Sequence, residues 1–126
     1  MPNLTFKKQF AEAVKSGKKT MTIRRSIKKG CPFVHLFTGL RTKKCEKLGV
    51  GVITKIKEII IHDEHSDFAI EINGMDLSEK FKDGLAINDG FKSSDEFIDF
   101  FKKQYGLPFS GVLIEWRLKD DSFNIK

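Results

Sequence analysis

The chain predicts an α+β fold, a small, mixed, largely antiparallel β-barrel flanked by short helices. Five or six short apolar or alternating segments read as strands. The gaps between them are too short for parallel crossovers, which need a dozen or more residues. Helical patterns stand towards both ends of the chain.

Taken in order, Leu4 to Phe6 reads as a short strand, and Thr5 can cap a helix over Lys7 to Ser16. Phe10, Ala13 and Val14 supply that helix with an apolar stripe, and Gly17 ends it. Thr20 to Arg24 is a strand, Ser26 to Gly30 a basic loop, and Phe33 to Thr38 a second strand. A polar hairpin-like loop covers Gly39 to Lys47, and Leu48 to Ile61 reads as a long or broken strand. His62 to Asp67 is read as a polar turn, and Phe68 to Asn73 alternates as a strand should. Ser78 to Asn88 is ambiguous and reads best as a short helix. Ser93 to Tyr105 is the clearest helix. Ser93 and Glu96 form a capping box, Phe97, Ile98, Phe101 and Tyr105 the stripe, and Gly106 and Pro108 the stop. Val112 to Leu118 is the final strand. The reading is one domain over residues 1–118, followed by a polar tail over 119–126.

Hydrophobic residues make up 40% and charged residues 32%, the balance of a soluble globular protein. Twelve Phe against one Tyr and one Trp assign most aromatic mass to the core. No apolar run approaches the ~20 residues of a membrane span, and MPNLTFKKQF has no signal-peptide core. Cys31 and Cys45 match no metal spacing and are too few for a disulfide framework. The expectation is a reduced, cytoplasmic protein without a membrane partner, metal or cofactor.

Charge is distributed unevenly. Residues 1–60 hold 15 basic and 3 acidic side chains, and residues 61–126 hold 8 and 14. Lys15 to Lys29 contains seven basic residues and no acid, and Arg41, Lys43, Lys44 and Lys47 form a second cluster. Such clusters are the footprint of phosphate binding, and also the ordinary look of a solvated face.

The stretch Gly17 to Arg24, GKKTMTIR, is the most informative. Alternation puts Met21 and Ile23 on one side, with Thr20, Thr22 and Arg24 on an exposed polar side. Amines and hydroxyls at a strand entrance can bind anions or support nucleophilic chemistry. A lysine-rich helix end and a threonine-rich strand also form with no function at all.

Four segments, GKKTMTIR, TGLRTKKCEKLG (38–49), LAINDGF (85–91) and FFKKQYGLPFSGVLIEW (100–116), together resemble the ASCH domain family of the PUA-like barrel superfamily. The resemblance spans almost the whole chain. The RT-x-x-C form at Arg41 to Cys45 looks like the bacterial and phage members. It implies a β-barrel with a cleft facing RNA or nucleoside ligands. In the small bacterial N4-acetylcytidine amidohydrolases of this family, a Lys, a Thr and a Glu do the chemistry. The motif puts the lysine on Lys19, the threonine on Thr22, an arginine on Arg24 and the acid on Asp89. The chain departs from that pattern by carrying Asp where those enzymes have Glu, one methylene shorter. Its middle is also longer.

On this resemblance Thr22 attacks the acetyl carbonyl and Lys19 takes its proton, aided by the like charges of Lys18, Arg24 and Arg25. That arrangement needs Lys19 in a turn, because within the strand it would face away from Thr22. Asp89 orients Lys19, protonates the leaving nitrogen, or holds the pocket by a salt bridge. Lys18, Thr20, Arg24, Arg25, Lys28, Lys29, Arg41, Lys43 and Lys44 are the candidate RNA or ligand contacts. Capture of single-stranded RNA without turnover, or cleavage of single-stranded RNA, are the alternatives. His62 and His65 lack a clear third metal ligand. Cys45 has no neighbouring His, and Trp116 is a core residue or a ring on which a base could stack.

Overall fold

The computed structural model describes residues 2–28, 30–64 and 67–119. Ten elements follow in chain order: β1 (Asn3–Phe6), α1 (Lys8–Ser16), β2 (Met21–Arg24), β3 (Phe33–Thr38), β4 (Glu46–Glu64), β5 (Asp67–Ile72), β6 (Met75–Asp76), α2 (Glu79–Asn88), α3 (Ser94–Gln104) and β7 (Phe109–Leu118). The class is therefore α+β. Among the described residues the strands make one mostly antiparallel sheet of seven, with an open path β1-β3-β4-β5-β6 and with β7 beside both β2 and β4. The expectation of five or six strands missed the two-residue β6.

The chain divides into two compact units. The first comprises Met1–Thr20, Lys28–Lys55 and Glu115–Lys126. In it β1 runs parallel to β3, from Asn3↔His35 to Phe6↔Thr38. β3 then pairs antiparallel with β4, with a register shift between Leu36 and Phe37. Alternation sends Leu4, Phe6, Val34 and Leu36 into a core with Phe10, Val14, Leu48 and Trp116. Phe10 and Val14 lie one turn apart on α1, so the helix buries a single stripe. Gly17 closes α1 at φ 84°, a conformation that glycine alone adopts without strain, and its N–H donates to the Val14 carbonyl. Thr5 does not cap this helix, because the chain is still extended at β1. Lys7 is the cap residue without a side-chain bond, and Thr5 Oγ1 accepts from the Leu40 N–H.

The second unit comprises Met21–Ile27 and Ile56–Ile114. Here β4 and β5 form a hairpin that pairs Ile59↔Ile72 through Glu64↔Asp67. The polar turn expected at His62 to Asp67 is thus largely strand, since cross-strand pairing tolerates charged residues on the open face. His62 Nε2 meets the Glu71 carboxylate across this hairpin. α2 buries Lys82 beside Ala86. Lys82 Nζ donates to the Phe68 carbonyl at 2.6 Å and pairs with Glu79 at 2.6 Å. A lysine at a core position blurs the apolar period, and α2 is faint in the sequence for that reason.

α3 begins where the capping box placed it, with the Glu96 N–H donating to Ser93 Oγ at 3.2 Å. Ser93→Ala should therefore cost roughly 0.5–2 kcal/mol, read as a lowered melting temperature. The inner face of α3 fills the unit with aromatic rings. Phe97 and Phe101 are 4.8 Å apart, Phe101 and Phe109 are 5.2 Å apart, and Phe91 stands edge-on to Phe97 at 5.6 Å. Strand β7 starts at Phe109, three residues before the expected Val112, because Gly111 lets it approach β2 closely. A Cβ there would collide with the Arg24 carbonyl and lie 2.8 Å from the Phe109 ring.

Candidate functional site

Strand β2 carries two of the candidate residues. Thr22 and Arg24 are two residues apart on one strand and share a face, as alternation requires. Arg24 Nε donates to Thr22 Oγ1 at 3.1 Å. The face is not the exposed one that alternation suggested. Thr22 is 5% exposed and Arg24 half-buried, and Met21 and Ile23 on the other side of the strand are buried too.

Asp89 joins them. It is 5% exposed and stands at the C-terminal end of α2, where its N–H donates to the Leu85 carbonyl. A carboxylate at a helix C-terminus opposes the helix dipole, and a buried one needs a cation. Arg24 supplies that charge. Burial pulls the Arg24 guanidinium below its ordinary value, while Tyr105 and then Asp89 pull it back up. An arginine in this setting stays charged. Asp89 and Arg24 attract one another across this site.

Arg25 is exposed, and its guanidinium lies 5.1 Å from the Tyr105 ring centroid and 5.7 Å from that of Phe109. Tyr105 thus serves both arginines. Its place in the apolar stripe of α3 was legible, whereas its partners on β2 were not. Buried Lys82 also escaped the sequence reading, and its bonds to Phe68 and Glu79 give it a structural role.

The remaining candidates belong to the first unit. Lys19 lies before β2 begins, outside any strand. It is 3% exposed, with Nζ 5.2 Å from the Phe10 ring centroid and 5.9 Å from Phe6. Its N–H donates to the Ala13 carbonyl, which ties it to the end of α1. The Thr20 carbonyl accepts from the Trp116 N–H, and Thr20 is half-buried. Lys18, Lys28, Arg41, Lys43 and Lys44 are exposed, the last three on the turn between β3 and β4. Lys29 lies outside the described residues, as do His65 and the tail from residue 120. Trp116 is 3% exposed and 5.7 Å from Phe6, which makes it a core ring and not a surface for a base. Cys45 is exposed and Cys31 half-buried, both as free thiols. Among the described residues no three His, Cys, Asp or Glu side chains gather as a metal site.

In chemical terms the second unit holds a hydroxyl whose oxygen receives a hydrogen bond from a guanidinium. The guanidinium is already countered by a carboxylate. The hydroxyl proton is still available for donation. A charge-balanced site of this kind suits an uncharged polar ligand better than a phosphate, whereas the exposed lysines and arginines suit phosphates. No described helix is long and apolar enough to cross a membrane. Comparison with family models, with curated proteins and with solved structures finds no match to this chain.

Proposed function

We propose that the chain is an ASCH-like, PUA-like barrel protein of the cytoplasm that binds a modified pyrimidine nucleoside or single-stranded RNA and hydrolyses the amide of N4-acetylcytidine. The observation that carries this reading is the Thr22–Arg24–Asp89 constellation, in which Thr22 and Asp89 are buried and Arg24 half-buried. It rests on the residues that the sequence resemblance singled out. Thr22 supplies the nucleophilic oxygen. Arg24 donates to that oxygen and so favours the form that has lost its proton. Asp89 holds Arg24. Lys19, three residues before Thr22 in the chain, takes the hydroxyl proton and returns it to the leaving N4 nitrogen as the C–N bond breaks. Water then gives a proton to Lys19 and attacks the acetyl ester on Thr22, so that acetate leaves and the Thr22 hydroxyl is restored.

Incubating the protein with N4-acetylcytidine and, separately, with single-stranded RNA tests the reading, with both followed by chromatography. Conversion to cytidine and acetate is expected. Absence of conversion removes the hydrolase. Shortened RNA would replace it with the nuclease alternative. Exposed Lys28, Arg41, Lys43 and Lys44 favour the second reading, a module that binds RNA without turnover. Affinity should then fall steeply with salt through counterion release. Lys28→Glu, Lys43→Glu and Lys44→Glu together should weaken binding and flatten that slope. Affinity that is indifferent to salt would show a merely solvated basic face.

A further inference from the structure

The outer face of β3 is unusual for an open sheet. Val34, Leu36 and Thr38 point into the first unit, so Phe33, His35 and Phe37 share the other face, where all three are half-buried. Outward positions on a strand are ordinarily polar. These are rings, set ~7 Å apart by the strand repeat. The His35 and Phe37 centroids are 6.1 Å apart. Their neighbours on β1, Asn3 and Thr5, are exposed and small. On β4 the facing residues are Val52, Val50 and Lys47.

Positive charge borders this row. Lys119 Nζ lies 5.5 Å from the Phe33 ring centroid, and Lys47 stands opposite Phe37. Arg117 is exposed on the side of β7 away from the buried Trp116. The turn at the Phe37 end of the strand carries Arg41, Lys43 and Lys44. Glu115, half-buried, is the acid on this side of β7.

We propose that this face is a stacking platform for single-stranded nucleic acid, with bases on Phe33, His35 and Phe37 and phosphates against Lys47, Arg117 and Lys119. Unpaired bases present flat π surfaces, and aromatic rings on a sheet receive them without regard to sequence. Imidazole fits this role in its uncharged form. Desolvation and then the charge of Lys47 hold His35 below its ordinary value. A basic border selects a polyanion over an apolar protein partner. The platform rests on the nucleic-acid part of the reading above and uses a different surface from Thr22, Arg24 and Asp89.

The test is fluorescence anisotropy of the full chain with labelled oligouridine, oligodeoxythymidine and a blunt duplex. Phe33→Leu and Phe37→Leu keep apolar bulk and remove the π face. Each should weaken single-strand binding about 10-fold. Phe33→Tyr and Phe37→Tyr should restore it, and the duplex should bind weakly throughout. Thermal melts confirm folding, and turnover of N4-acetylcytidine should be unchanged in the Leu variants. If the wild type binds single strands and the Leu variants bind equally well, the platform is wrong while the nucleic-acid reading stands. If the wild type binds none even at low salt, both fall. Self-association that the Leu variants abolish, with oligonucleotide affinity unmoved, would assign the face to a second copy of the chain and overturn the proposal.

Discussion

Thr22→Ala should reduce N4-acetylcytidine hydrolysis to near background, and Lys19→Ala should do the same. Loss of a general base alone costs ~10²–10⁴ in rate. The double variant should be little worse than either single one, because residues that act as one unit lose function non-additively. Lys19→Arg should not rescue, since a guanidinium stays protonated. Asp89→Asn keeps the size of the side chain but removes the charge that faces Arg24, so it separates ionic support from packing. Asp89→Glu installs the acid of the resembling enzymes, and turnover should hold or rise if reach is limiting. Circular dichroism establishes folding for each variant. Turnover close to wild type by folded Thr22→Ala or Lys19→Ala would take that residue out of the mechanism.

Phe101→Ala should be the most damaging single change to stability. The ring is 1% exposed and touches Phe97, Phe109, Tyr105 and Phe100, with centroids between 4.8 and 5.6 Å. Rings at such separations add to simple burial. Truncation leaves a cavity whose lining cannot collapse, and costs on the order of 3–5 kcal/mol. That corresponds to a melting temperature lower by roughly 10–20 °C. Tyr105 and Phe109 lean on this ring and Arg25 lies over both, so the variant should also loosen the end of β2. A melt in which Ser93→Ala proves less stable than Phe101→Ala would refute the assignment of both the start and the inner face of α3.

Strong local patterns were readable in the sequence. β3 matches its expected bounds at both ends because apolar residues alternate cleanly there, and α3 is framed by a capping box and a Gly-Pro stop. β7 begins earlier than expected because Pro108 and Gly111 resemble turn residues. The tight approach to the Arg24 carbonyl that makes Gly111 suitable is a tertiary fact. The same division holds at the site. Alternation paired Thr22 with Arg24, a relation between neighbours on one strand. It could not say what covers that face, so Thr22 was expected in the open and is buried. Asp89 and Tyr105 reach Arg24 from distant parts of the chain, and no local period records such a meeting. The rings of β3 illustrate the converse. A count of phenylalanines assigns them to a core, but register sends Phe33 and Phe37 outward.

The way the chain threads its two units has a consequence for synthesis. The first unit opens with the N-terminal strand and helix, yet its final segment begins only at Glu115. Trp116 lies in that segment. Its ring packs on Phe6 and its backbone N–H donates to the Thr20 carbonyl. A ribosome delivers Trp116 only after the whole of the second unit, long after Phe6. Until then Phe6 lacks the ring that packs on it, and apolar surface left uncovered in this way is prone to association with other nascent chains. The second unit, apart from Met21–Ile27, draws on one continuous stretch and is whole once Ile114 has emerged. The order of completion therefore inverts the order of translation, and β1 and α1, made before the second unit, gain their full packing only after it is whole.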